Sequence, residues 1–281
     1  MAGFPSSFLW FESIGKYLFK NILDKTRPMD SMPLSFDLPQ EDELAILLLN
    51  GGISYYMPLY FMSQEPMFRK FLTFKESDGA SLIEINAWKS SLTYLIKKII
   101  LKQSLIDPNF QKKRLILKSP VHTARLELLR TMFSNAKFIY VHRNPYEILQ
   151  SASHMADTTY WYSYLNTPTN EQITEFILHQ FQQMFEAYNK AVVTKQNKTY
   201  RQLHIDTIEI SYKSIAYKTI DTLHHIYNHL NIAFNERHFI NQVKHLESYK
   251  VNNHTNLTDE QKKIINNRWK DYMNTFKYEQ S

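Results

Sequence analysis

The fold is decided by two short apolar runs, Arg114-Leu-Ile-Leu-Lys118 and Lys137-Phe-Ile-Tyr-Val-His142. Apolar runs of this length next to charged residues are typical of buried strands. The segment between them carries the leucine spacing of a helix, and Asn144-Pro145 opens a second helix with proline at its first position. Strand, helix, strand and helix within about 40 residues predict a βαβ unit, and therefore a parallel sheet.

Helix and strand patterns continue on both sides of this unit. An amphipathic helix is predicted over 82–103, another helix around 170–195, and a third apolar strand at Thr207-Ile-Glu-Ile-Ser-Tyr212. No internal repeat and no low-complexity linker divides the sequence. We therefore expect a single α/β domain over residues 1–281.

The composition excludes several classes of function. Hydrophobic residues make up 43% of the 281 and charged residues 21%, which excludes a mainly disordered chain. The five glycines form neither a Gly-x-Gly-x-x-Gly fingerprint nor a Walker A loop. The lack of cysteine excludes disulfides, thiolate nucleophiles and cysteine-bound metals. A net charge of +6 without long basic runs favours an anionic ligand and no nucleic-acid partner.

The first apolar stretch, Phe4 to Leu23, is interrupted at helical spacing by Glu12, Lys16 and Lys20. No basic segment precedes it, so it indicates neither a signal peptide nor a transmembrane segment. We expect an amphipathic helix that packs on the domain, with contact to a membrane surface as the alternative. Together with the lack of cysteine, this pattern predicts a cytoplasmic protein.

Chemically versatile side chains follow the ends of the first two predicted strands. Ligands of open parallel sheets bind beyond the carboxyl ends of the strands, so we expect Lys118, His122 and Arg143 at one crevice. Ser151 follows Asn144 by about two helical turns. An arginine, a hydroxyl and a helix N-terminus suit a dianionic phosphate, and a histidine suits removal of a proton. The alternative is structural: Arg143 pairs with a carboxylate and His122 caps a helix.

Three further groups have both a functional and a structural interpretation. The acids at 41–43 suit either acid–base chemistry or the positive end of a helix dipole. His225 and His229 have the four-residue spacing of metal ligands, but no third ligand is placed, so we expect no metal site. The aromatic run Tyr160-Trp-Tyr-Ser-Tyr164 suits either an acceptor pocket or an aromatic core.

Two stretches resemble the core of the sulfotransferase family, in the branch that carries Lys-Ser-Pro-x-His. They are Leu115-Ile-Leu-Lys-Ser-Pro-Val-His-Thr-Ala-Arg-Leu126 and Phe138-Ile-Tyr-Val-His-Arg-Asn-Pro-Tyr-Glu-Ile-Leu-Gln-Ser151. Thr26-Arg-Pro-Met-Asp30 is similar to an upstream signature of that branch. Tyr212-Lys-Ser-Ile215 and Tyr249-Lys-Val-Asn-Asn-His254 stand at two of its later signatures.

The resemblance implies a P-loop-NTPase-like α/β fold, a parallel sheet flanked by many helices. It also implies transfer of a sulfuryl group from 3′-phosphoadenosine 5′-phosphosulfate to a hydroxyl or amine, with no metal. Residues 1–110 are then a mostly helical substrate side, and residues 111–281 a nucleotide-binding core with C-terminal helices. The acceptor is expected to be a small molecule, a carbohydrate or a lipid.

The resemblance also implies a role for each candidate site residue. His122 is the base that deprotonates the acceptor, and Lys118 helps to neutralise charge on the transferring group. The residues implied to bind the nucleotide are Arg143 and Ser151, on the 3′-phosphate, with Tyr212 and Lys250.

The sequence departs from the family in two places. The first strand and the Pro-x-Ser-Gly-Thr-Thr loop that binds the 5′-phosphosulfate are not found, so we expect either a gene model truncated at its front or a relative without activity. Lys213 and Ser214 replace the acidic pair after Tyr212. The alternative to an active sulfotransferase is an inactive nucleotide-binding or scaffold protein. A nucleotide kinase on the same fold is disfavoured by the missing Walker lysine.

Overall fold

A computed structural model describes residues 9–19, 21, 24–30, 32–36, 38, 40–110, 113–196, 201–243 and 256–280. The chain separates into two compact units. The first unit comprises Met1–Arg125 and Thr158–Phe176, and the second unit comprises Leu126–Asp157 and Ile177–Ser281. The single domain expected over 1–281 stays a prediction.

The amino-terminal half of the chain is helical up to the first strand. Its α-helices are α1 (Leu9–Phe19), α2 (Asp42–Leu49), α3 (Glu65–Phe68), α4 (Lys70–Thr73), α5 (Leu82–Ile106) and α6 (Leu126–Met132). Short 3₁₀ segments lie at Met57–Leu59, Met62–Gln64, Glu76–Asp78 and Pro120–Ala124.

Helix α5 is the long amphipathic helix that the sequence predicts. It begins at a capping box, in which the Ser81 hydroxyl accepts a hydrogen bond from the Glu84 amide and the Glu84 carboxylate accepts one from the Ser81 amide. Its buried stripe includes Ile85, Trp88 and Leu92. These side chains form the core of the first unit together with the buried Ile46 of α2.

In the described part of the remaining chain, helices alternate with four strands. The strands are β1 (Phe138–His142), β2 (Val193–Gln196), β3 (Arg201–Leu203) and β4 (Thr207–Ser211). The helices are α7 (Pro145–Thr158), α8 (Asn170–Val192), α9 (Tyr212–Tyr217), α10 (Thr219–His229), α11 (Glu236–Val243), α12 (Asp259–Arg268) and α13 (Lys270–Phe276), with a 3₁₀ segment at Tyr160–Tyr162. None of the described helices is long and apolar enough to cross a bilayer.

Strands β1 and β4 form a parallel pair, in the register Phe138↔Thr207 to His142↔Ser211. Ile208 and Ile210 of β4 are buried against Ile226 of α10. Their partners in β1, Ile139 and Val141, are 48% and 44% exposed, so the prediction that β1 is a buried strand is wrong for this face. Strands β2 and β3 form a separate antiparallel hairpin. The predicted α/β class, with a parallel sheet and many helices, is confirmed.

The predicted strand at Arg114–Lys118 is wrong. Residues 114–119 have no regular secondary structure, and Ile116 is 84% exposed. The segment joins neither of the two described sheets, and an extended apolar segment without a neighbouring strand has no surface on which to bury its side chains. The parallel partner of β1 is β4, so the crossover runs through α7 and α8 instead of α6. The P-loop-like detail and the missing first strand stay predictions.

Candidate active site

His122 lies in the first unit, in the 3₁₀ turn that follows Lys118. Pro120 stands at the first position of this turn and fixes the direction of the chain. The His122 Nε2 atom lies 2.7 Å from Asp42 Oδ2, and both side chains are largely buried. Trp88 meets the imidazole ring edge-on, with ring centroids 6.2 Å apart. The imidazole is therefore held from two sides.

The charge of Asp42 determines which nitrogen of His122 carries hydrogen. Burial raises the pKa of Asp42, but the hydrogen bond from His122 and the positive charges of His122 and Arg125 outweigh it and lower that pKa. An ionised carboxylate only accepts hydrogen bonds, so Nε2 of His122 is the donor. In the neutral ring Nδ1 is then the basic atom. Nδ1 is buried and has no hydrogen-bond partner among the described residues.

Lys118 lies at the surface of the same unit. Its side chain is 75% exposed, and its ammonium group donates to Glu41. The Tyr56 hydroxyl donates to the other oxygen of that carboxylate. Burial and the charge of Glu41 raise the pKa of Tyr56, so the phenol stays protonated. The Lys118 cation is therefore paired and accessible to solvent.

Glu43 is a structural residue. Its side chain is 0% exposed and binds the Arg125 guanidinium through two hydrogen bonds of 2.6 and 3.1 Å. The Trp88 indole donates to one carboxylate oxygen at 3.2 Å, and the Ser54 hydroxyl donates to the other at 2.6 Å. Both oxygens are thus occupied by protein donors, which excludes Glu43 as a base for a substrate.

The second unit holds Arg143, which directly follows β1. Its guanidinium lies over the Tyr212 ring, 4.5 Å from the centroid, and its Nε donates to Glu147 at 2.8 Å. The buried Tyr272 hydroxyl accepts from the Arg143 amide at 2.9 Å and donates to the Arg143 carbonyl at 2.7 Å. One hydroxyl therefore satisfies both backbone groups of Arg143 and fixes the turn between β1 and α7.

The other predicted nucleotide ligands are Ser151, Tyr212 and Lys250, and the structure describes the first two. Ser151 lies on α7, about two turns from its start, and is half-buried. Tyr212 opens α9, where the Ser211 hydroxyl accepts from the Ser214 amide at 3.0 Å and lies 2.7 Å from the Ser214 hydroxyl. Ser214 thus completes the cap of α9. It stands at one of the two positions where the family motif has an acid. Lys250 lies outside the described residues.

The structure brings together Arg143 with Tyr212, and Asp42 with the predicted base His122. Whether Lys118, His122 and Arg143 share one crevice stays a prediction. The sequence analysis missed Asp42 as the partner of His122 and missed Tyr272 altogether. Three consecutive acids at 41–43 and three bases at 118, 122 and 125 are visible in the sequence, but their spacings differ and do not identify the pairing.

The remaining candidates have ordinary environments. His229 Nε2 lies 3.1 Å from the Thr207 carbonyl oxygen, and the described residues hold no group of three or more potential ligands suited to a metal ion. Trp161 and Tyr162 are exposed, so the aromatic-core interpretation is wrong for these two residues.

Residues 60–236 match the sulfotransferase family, and this chain belongs to that family. The resemblance seen in the sequence is thus confirmed. The chain is 25% identical, over 280 residues, to omega-hydroxy-beta-dihydromenaquinone-9 sulfotransferase Stf3 of Mycobacterium bovis and to the protein of the same name of Mycobacterium tuberculosis. Each alignment covers 98% of this chain and 66% of the relative, so the chain spans just under two thirds of their length. No solved structure is significantly similar to it.

Proposed function

We propose that this chain carries out sulfuryl transfer from 3′-phosphoadenosine 5′-phosphosulfate to a hydroxyl group of a lipid. The observation that carries the proposal is the buried Asp42–His122 pair, in which His122 Nδ1 has no hydrogen-bond partner among the described residues. Family membership supports the reaction class. The lipid acceptor is supported by the relatives, which are named for a hydroxylated menaquinone derivative.

His122 acts as the general base in this proposal. Its Nδ1 takes the proton of the acceptor hydroxyl while the acceptor oxygen bonds to sulfur, and ionised Asp42 stabilises the imidazolium that forms. When bound, 3′-phosphoadenosine 5′-phosphosulfate supplies an activated sulfuryl group, whose bond to the 5′-phosphate oxygen breaks and leaves adenosine 3′,5′-bisphosphate. Lys118 is proposed to offset negative charge on the transferring group.

Arg143 is proposed to hold the 3′-phosphate. A guanidinium matches the oxygens of a phosphate geometrically. The Tyr212 ring and Glu147 position this guanidinium, and the Tyr272 hydroxyl fixes the Arg143 backbone. The hydroxyl of Ser151 is the second proposed donor. This cationic, hydrogen-bonding donor set fits a dianionic group and supports the assignment of the nucleotide. Lys250 is also proposed as a nucleotide ligand, and this proposal rests on the family resemblance alone.

Two measurements test the proposal. Calorimetry should show that adenosine 3′,5′-bisphosphate binds and that Arg143→Ala weakens binding at least about tenfold, the loss of one charge-assisted contact. Arg237→Ala, which removes an exposed arginine of the second unit, should bind like the parent. A transfer assay with an omega-hydroxylated menaquinone should then yield the sulfate ester. Nucleotide binding without transfer to any hydroxyl acceptor would favour the inactive alternative.

A further inference from the structure

Glu41 uses its side chain in an unusual way for a residue that precedes a helix. It is the N-cap of α2, where a side-chain oxygen normally accepts a hydrogen bond from the first turn, yet it makes no such bond. One carboxylate oxygen instead accepts from the Lys118 ammonium group, and the other accepts from the Tyr56 hydroxyl. The carboxylate therefore joins two other side chains and does not cap its own helix.

Stability does not explain the ion pair between Glu41 and Lys118. The Lys118 side chain is 75% exposed, and ion pairs at such exposure contribute little to the free energy of folding. An ammonium group has three N–H donors, and Glu41 accepts from one of them. The pair thus holds the Lys118 cation in place and leaves it accessible to a ligand.

Tyr56 is the buried end of this arrangement. Its hydroxyl donates to Glu41 and also lies 3.5 Å from the Ser119 hydroxyl. Ser119 is itself buried and directly follows Lys118 in the chain. The phenol therefore contacts both the carboxylate that binds the Lys118 head group and the residue next to Lys118 in the backbone.

We propose that Tyr56 is a positioning residue of the proposed reaction: it fixes Glu41, and Glu41 fixes the Lys118 cation for the transferring group. A lysine side chain has many rotamers, and holding it in place beforehand removes the entropy cost of ordering it during the reaction. The inference rests on the proposed function, which gives Lys118 its role in offsetting charge. Tyr56 acts only through Glu41 and Lys118 and is not itself a catalytic residue.

Tyr55 provides a matched control. Its side chain is also buried, and its hydroxyl also donates to a carboxylate, that of Glu65, at 2.8 Å. Burial is the main cause that raises the pKa of both phenols, so both stay protonated. Glu65 binds Arg69, which is not a residue of the proposed site. Tyr55→Phe thus removes the same group from similar surroundings without acting on Lys118.

The kinetics of sulfate-ester formation test the proposal. Tyr56→Phe should lower the turnover rate about tenfold, the loss expected for one hydrogen bond to a charged group, and Tyr55→Phe should keep the parent rate. Lys118→Met should lower the rate at least as much, and adding Tyr56→Phe to it should cause no further loss. Glu41→Gln removes the ion pair and should lose about as much as Tyr56→Phe. Adenosine 3′,5′-bisphosphate has no sulfuryl group, so its affinity should stay at the parent value in every variant.

A measurement without catalysis follows the Lys118 side chain itself. Reductive methylation with isotope-labelled formaldehyde keeps the charge of each lysine and gives it an NMR signal, and the signal missing from Lys118→Met belongs to Lys118. In Tyr56→Phe this signal should narrow, because a released side chain moves faster, and in Tyr55→Phe it should keep its width. A signal of unchanged width in Tyr56→Phe would contradict the link between Tyr56 and Lys118.

Three kinetic results would overturn the inference. They are an unchanged turnover rate in Tyr56→Phe, an equal loss in Tyr55→Phe, and a Lys118→Met/Tyr56→Phe variant whose loss is the product of the two single losses. If one of them appears while the parent forms the sulfate ester, Tyr56 is not a positioning residue and the proposed function stands. If the parent transfers no sulfuryl group while the Lys118 signal narrows in Tyr56→Phe, the proposed function is wrong and the contact is structural only.

Discussion

His122 Nε2 and Asp42 Oδ2 lie 2.7 Å apart, although 80 positions separate them in the sequence. The contact between the segments 41–43 and 118–125 also pairs Glu41 with Lys118 and Glu43 with Arg125. Three consecutive acids at the start of α2 therefore meet three bases in order. The Glu41–Lys118 pair is exposed and the Asp42–His122 pair is largely buried. The Glu43–Arg125 pair is inaccessible to solvent. The Asp42–His122 pair, which is proposed to be catalytic, thus lies between a solvent-exposed ion pair and a fully buried one.

Replacing Asp42 tests the orientation of the base. Asp42→Asn offers the ring an amide in place of an anion, so the tautomer with hydrogen on Nε2 loses its preference and the imidazolium loses its counterion. We expect the turnover rate to fall about 10²-fold or more while nucleotide affinity stays the same. Steady-state kinetics measure the turnover rate, and calorimetry measures the nucleotide affinity. The control is Asp107→Asn, at an exposed carboxylate that pairs with Lys113, and it should leave both unchanged.

The Glu43–Arg125 pair should dominate the stability of the first unit. Arg125→Met leaves a buried carboxylate without its counterion, and such a change costs about 3–5 kcal/mol of unfolding free energy. Adding Glu43→Gln removes the uncompensated charge and should restore part of that loss. Denaturant unfolding of the single and double variants measures both. If the double variant is less stable than Arg125→Met, the buried charge is not the source of the loss.

Stability at acid pH should depend on Asp206 in the second unit. Burial raises the pKa of Asp206, but hydrogen bonds from Arg130 and Thr207 outweigh it and lower that pKa. A carboxyl group with a lowered pKa stabilises the fold above its unfolded pKa of about 3.9, and this contribution is lost as pH falls through the folded value. Asp206→Asn should therefore destabilise the protein at neutral pH and much less at pH values below the folded pKa.

Unfolding free energies of parent and Asp206→Asn, measured across that pH range, check the expectation. Asp24→Asn, at an exposed carboxylate, is the control and should follow the parent at every pH. A difference between parent and Asp206→Asn that does not change with pH would assign the effect to packing.

Tyr272 should act on the nucleotide through Arg143. Tyr272→Phe leaves the amide and carbonyl of Arg143 without their shared partner, which loosens the turn after β1. We expect adenosine 3′,5′-bisphosphate affinity to fall about tenfold by calorimetry. Tyr278→Phe is the matched control: it removes a hydroxyl 2.8 Å from His142 Nδ1 and should leave affinity unchanged. Equal losses in the two variants would contradict a specific role for Tyr272.

Local sequence patterns predicted most of the regular structure. Helix α5 has a capping box and a helical stripe, and β1 and β4 are short apolar runs, so each carries its signal within its own residues. The segment 114–118 carries the same apolar signal but lies outside both described sheets. Strand formation depends on a hydrogen-bonding neighbour, and the pattern within one segment does not identify that neighbour.

The candidate site was predicted only in part, because a local pattern does not identify distant partners. His122 and Arg143 were selected because both match a family motif. Arg143 also follows a strand that the sequence predicted, β1, whereas the strand predicted before His122 does not form. The partners Asp42 and Tyr272 were not selected, because both contacts join positions 80 or more residues apart. Such contacts are set by tertiary packing, which the pattern within one segment does not contain.

The turnover rate of His122→Ala decides whether His122 is the base of the proposed sulfuryl transfer. The rate of sulfate-ester formation with saturating donor should fall about 10²- to 10⁴-fold, the usual contribution of a general base. Adenosine 3′,5′-bisphosphate affinity should not change, and His225→Ala, at an exposed histidine of α10, should keep the parent rate. A His122→Ala enzyme that folds, binds nucleotide and keeps the parent rate would contradict the claim.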